Sequence, residues 1–108
     1  MFFVEGQEIF HYDSEINEIV SGKITKIGKS IETDFGYEFG GYEDLSILNF
    51  VYHNLAEAID DAITYNRMWI IHFTRIMNSD DKFLRDYAER QIRKHENQIL
   101  ELQSIDPR

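Results

Sequence analysis

The sequence predicts an α+β fold: a small curled antiparallel sheet, or an SH3-like barrel, followed by a C-terminal αα-hairpin. Three observations carry this. Before residue 54, apolar residues come in short runs cut by glycines and turn residues, as in short strands. From Asn54 the pattern changes to that of amphipathic helices, over 54–77 and again over 80–104. A short polar link, Asn78-Ser79-Asp80-Asp81, joins the two helical stretches and makes them antiparallel neighbours. The 108 residues are one domain's worth of chain, with a β-rich part over 1–53.

Gln7–Tyr12 mixes β-branched and aromatic residues and reads as a strand ending in a turn at Asp13-Ser14. Ile16–Ile27 reads as strand, bend at Gly22, strand. Gly28-Lys29-Ser30 is the next turn. Over Ile31–Phe39 the residues Phe35, Tyr37 and Phe39 alternate with Gly36 and Glu38, which predicts one strand ended by Gly40-Gly41. Leu45–Tyr52 is a last apolar strand. Short strands joined by tight turns within about 50 residues favour a strongly curled sheet or a barrel.

The run Gly22-Lys23-Ile24-Thr25-Lys26-Ile27, after a strand rich in Phe and Tyr, resembles the GKV-x-x-I stretch of small SH3-like barrels, KOW-type modules included. Val51-Tyr52-His53-Asn54-Leu55-Ala56-Glu57-Ala58 is similar to the strand-to-helix junction that follows such barrels in small bacterial and phage proteins. The resemblance covers roughly residues 5–60 and implies a barrel-like sheet. KOW modules bind RNA through basic faces. Here ten carboxylates stand against Lys23, Lys26 and Lys29 in residues 1–53, so only the fold carries over.

The first helix opens on Asn54, a good N-cap, with Glu57 three residues on. Leu55, Ala58, Ile59, Ala62, Ile63, Trp69, Ile70, Phe73, Ile76 and Met77 share one broad face. Met68 and Ile71 fall off that stripe, so from Asn66 onward the helix is apolar on more than one side. In the second helix Ala88, Ile92, His95, Ile99 and Leu102 follow a 4-3-4-3 seam. Asp81/Arg85, Asp86/Arg90 and Glu89/Arg93 are acid-before-base pairs on its solvated face. Each helix would be about 36 Å long. Pairing them across the link sets Phe73 against Leu84, Trp69 against Ala88, Ala62 against His95, Leu55 against Leu102, and Asn66 against Gln91.

Composition bounds the function. A net charge of −9, concentrated in the first half, repels nucleic-acid phosphates and anionic lipid and favours solubility or a basic protein partner. No cysteine is present, so disulfides, thiol nucleophiles and Cys-based zinc sites are excluded. His11, His53, His72 and His95 show no paired metal spacing, the serines lack a nucleophile elbow, and the Gly36–Gly41 stretch lacks a phosphate-loop lysine. No enzyme activity, cofactor or metal is expected. With no signal-like or membrane-spanning stretch, the expected location is the cytoplasm of a bacterium or a phage-infected host.

Two constellations remain. Asn66, Gln91 and His95 would form a polar layer inside the hairpin, and a buried Asn of this kind commonly fixes helix register. With Trp69, Ile70 and Phe73 they make the expected helical interface. Tyr65, Trp69 and His72 gather on one edge of the first helix, as packing or as a pocket wall. The aromatic and acidic stretch Asp34–Asp44 is the second constellation. Its Phe35, Tyr37 and Phe39 suit a strand's core face, and Glu38, Tyr42, Glu43 and Asp44 suit a surface that meets a basic partner. The expected function is a non-enzymatic protein–protein interaction module that self-associates through its helices. The alternatives are an acidic phage-type inhibitor of a nucleic-acid-handling or defence protein, acting as a DNA mimic, and small-ligand binding at a subunit interface.

Overall fold

The computed structural model describes residues 4–28, 30–35, 38–40 and 51–107. Among the described residues, five short strands are followed by two helices: β1 Glu8–Asp13, β2 Glu18–Ile27, β3 Ser30–Thr33, β4 Glu38–Gly40, β5 Val51–Tyr52, α1 Leu55–Ile76 and α2 Lys82–Gln103. The architecture is α+β, with an antiparallel sheet first and a helical hairpin after it. The chain divides into two compact units, Met1–Ala58 and Ile59–Pro107, so the boundary falls in the first turn of α1. No helix among the described residues is long and apolar enough to cross a membrane.

In the first unit the strand order is β4-β3-β2-β1-β5, every neighbouring pair antiparallel. β2 is the shared strand. Its first half pairs with β1 from Asp13↔Glu18 to Glu8↔Lys23, and its second half pairs with β3 from Ile24↔Thr33 to Ile27↔Ile31. A register shift lies between Ile24 and Lys26. Such an irregularity adds local twist, which curls a sheet built on one long strand. Ile9, Ile24 and Ile31, one from each of the three main strands, are completely or almost completely buried. Tyr12 is buried as well, its hydroxyl donating to Asn17 Oδ1 at 2.6 Å. Asn17 holds the β1–β2 turn with a φ of 53°, a left-handed conformation that Asn tolerates better than most residues.

Two expectations for this half are corrected. Gly22 does not bend the strand, since β2 runs through it unbroken. A Cβ at that position would instead overlap the Phe35 ring and the Asp34 carboxylate, so the glycine is there for close approach. Ile31–Phe39 is not one strand either. It is a hairpin in which β3 and β4 pair as Ser30↔Gly40, Ile31↔Phe39 and Glu32↔Glu38. The chain leaves β3 at Asp34, whose backbone N–H donates to the Lys23 carbonyl at 3.0 Å while its carboxylate accepts the Lys23 N–H at 2.8 Å. That clamp turns the chain at Asp34 and Phe35, against the unbroken strand that the period-2 pattern predicts. The expected strand Leu45–Tyr52 appears as Val51–Tyr52, and residues 45–50 lie outside those described.

In the second unit α1, from Ile59 on, packs with α2 as an antiparallel hairpin; each helix has 22 residues and so is about 33 Å long. Asn54 Oδ1 accepts the Glu57 N–H at 2.8 Å and starts α1. Asp81 is the N-cap of α2, its Oδ1 accepting from Phe83 N at 2.8 Å and Leu84 N at 3.4 Å. The link between them is tied down: Ser79 N donates to the Ile76 carbonyl, and the Arg85 guanidinium donates to the Ser79 carbonyl at 2.9 Å. With Asp81 acting as a cap and Arg85 reaching back, the ion pair seen on α2 is Glu89–Arg93 at 2.6 Å.

Candidate interaction surface

The seam of the hairpin is set by a heptad on α2, because Ala88, His95 and Leu102, seven residues apart, are its buried positions. Ile92 and Ile99 between them are half-buried. On α1 the buried positions include Ala62, Asn66 and Phe73. A histidine and an asparagine in such a seam each need a partner, since an orphaned buried donor or acceptor costs about 1–3 kcal/mol. They find one another. His95 Nδ1 lies 2.7 Å from Asn66 Oδ1, and Asn66 Nδ2 donates to the Ala62 carbonyl at 2.8 Å. The second bond fixes which way the amide points, so Oδ1 is the acceptor and His95 carries its proton on Nδ1. Burial, with a smaller contribution from the neighbouring Lys94 ammonium, holds the imidazole pKa below its ordinary value.

Around this bond the rings form one connected cluster. Trp69 and Phe73 both stack on the His95 ring, with centroids at 6.2 and 6.1 Å, and on each other at 5.7 Å. Tyr87 meets Phe73 edge-on at 5.9 Å. His72 and Tyr65 extend the cluster outward, each edge-on to Trp69. Aromatic pairs in these arrangements contribute roughly 0.5–1.5 kcal/mol each beyond the area they bury.

The structure corrects the expected register. Asn66 pairs with His95 instead of Gln91, Trp69 with His95 instead of Ala88, and the contact from Phe73 goes to Tyr87 while Leu84 is exposed. From Asn66, the partner lies four residues further along α2, about one helical turn. The polar pairing accounts for it, since this stagger gives the buried imidazole N–H an acceptor and lays its ring against two aromatic faces. Of the expected interface residues, Asn66, Trp69, Phe73 and His95 are thus brought together, and Ile70 and Gln91 are half-buried beside them. In the acidic stretch, Glu38 sits in β4 opposite Glu32 in the backbone register, while Tyr42, Glu43 and Asp44 lie outside the described residues.

Beyond the seam α1 keeps an apolar outer side. Met68 is 65% exposed and Ile71 56%. Tyr65, Met68, Trp69 and His72 line an open recess of about 400 Å³. Tyr65, Trp69 and His72 are legible as a cluster in the sequence and Met68 as a residue off the apolar stripe, whereas Tyr87 carries no such signal. Met68 stands three residues after Tyr65 and four before His72, so it shares their side of the helix, and that is the signal that points to it. On α2, Phe83, Leu84, Tyr87 and Leu100 are exposed too. No protein-family model, curated protein or solved structure matches the chain.

Proposed function

We propose that this protein is a non-enzymatic interaction module that self-associates through its helical hairpin. One observation supports this above the others. The hairpin's own seam is complete, with the buried side-chain polar atoms of the described residues all partnered, yet α1 still presents Met68, Ile71 and the edges of Trp69 and Tyr65 to solvent. Singly exposed apolar residues are ordinary, but here they adjoin an aromatic-lined recess on one side of the helix, which supports a covered surface. The sequence excess of carboxylates in the β-rich part argues against nucleic acid as the partner.

Size-exclusion chromatography with light scattering over a wide concentration range tests the proposal. A mass rising to twice the 12.9 kDa of one chain is expected. A constant 12.9 kDa up to the highest attainable concentration would overturn it.

A further inference from the structure

Resting on that reading, we infer that the contact is isologous and antiparallel, formed by the outer stripe Asp61, Tyr65, Met68, His72 and Arg75 of α1 packing on the same stripe of a second copy. At about 100° per residue this stripe is rotated roughly 140° from Asn66, away from the seam with α2. Tyr65, Met68 and His72 form its centre, Asp61 and Arg75 its charged ends, and the occupied seam of α1 is a different one. Asp61, Met68, His72 and Arg75 are exposed and Tyr65 is half-exposed.

Shape and charge both name the occupant. The recess is lined by residues 65, 68, 69 and 72, which stand at i, i+3, i+4 and i+7. Those four positions make the hole that receives a knob from a facing helix. Met68, unbranched and flexible, is a suitable knob for an irregular hole. Asp61 lies seven residues before Met68 and Arg75 seven residues after it, about 10.5 Å to either side. Among the described residues neither makes an ion pair within its own chain. A two-fold axis through Met68 therefore sets each Asp61 toward the Arg75 of the other copy, twice, and each Met68 toward the other copy's recess. A parallel pairing would instead set Asp61 on Asp61 and Arg75 on Arg75, so the charges select the antiparallel arrangement.

The stripe is tested by reversing its charges in the full-length chain, with circular dichroism confirming that each variant folds. Asp61→Arg gives a copy with two positive ends, and Arg75→Asp gives one with two negative ends. Each alone should associate at least about tenfold more weakly than the parent chain, because both symmetric contacts become like-charged. An equimolar mixture of the two should recover the affinity as a heterodimer, since every contact across it is again opposite in sign. Parent-level association by either variant alone, or a mixture no tighter than its components, would overturn this interface while leaving self-association standing. A monomeric parent chain would overturn both.

Discussion

Asn66→Leu removes the acceptor for the His95 Nδ1 proton and leaves that donor buried among rings. The expected cost is about 1–3 kcal/mol, read as a lower urea midpoint. Replacing both partners, in Asn66→Leu/His95→Leu, should recover most of it, because two apolar groups leave nothing unsatisfied. A single variant as stable as the parent would remove the bond from the account of the seam. The same imidazole makes stability depend on pH. Its pKa in the folded chain lies below the ordinary value, so the unfolded chain takes up the proton first as pH falls. Stability should be full above the ordinary histidine value of about 6.5 and decline below it, through the lowered folded value. Melting temperatures at pH 7.5 and 5.5 should differ less in His95→Gln than in the parent. At this scale the sequence showed which residues were polar on an apolar face, Asn66 and His95 included. It could not show which met which, because periodicity fixes a helix's face and leaves its stagger against the neighbour open.

Among the elements, the caps and the glycine contacts are the tightest local constraints. Asp81→Ala strips the first turn of α2 of an acceptor for two N–H groups and should cost about 0.5–2 kcal/mol by chemical denaturation. Gly22→Val drives a side chain into Phe35 and the Asp34 carboxylate, with an expected loss of about 1–3 kcal/mol. Thermal unfolding of that variant at the parent temperature would show that the clamp at Asp34 gives way cheaply. Both helices were legible within a residue or two, since their apolar period runs over six turns and their ends carry Asn54 and Asp81. The β3–β4 hairpin was not. Phe35, Tyr37 and Phe39 keep a strand's alternation on paper, but the hydrogen bonds that turn the chain come from Lys23, eleven residues away from Asp34. A local pattern carries no record of such a contact.

For the whole molecule, the change of period at Asn54 was enough to give an α+β chain with a sheet first and a hairpin second. The unequal charge follows the same division, because lysines and arginines are scarce before the helices while the acids are shared evenly. Function was less legible, for a physical reason: a surface that waits for a partner is an exposed surface, and a sequence shows exposed apolar residues only as departures from a stripe. Met68 and Ile71 are those departures. The absence of cysteine gives the most direct test of the account, because a single introduced thiol has no competitor. Met68→Cys in the full-length chain, oxidised at low protein concentration, places two thiols at the proposed two-fold axis within the reach that a disulfide requires. Asp86→Cys, on an exposed position of α2, serves as the reference. Met68→Cys should give a disulfide-linked dimer much faster than Asp86→Cys; equal rates for the two would rule out an interface centred on Met68.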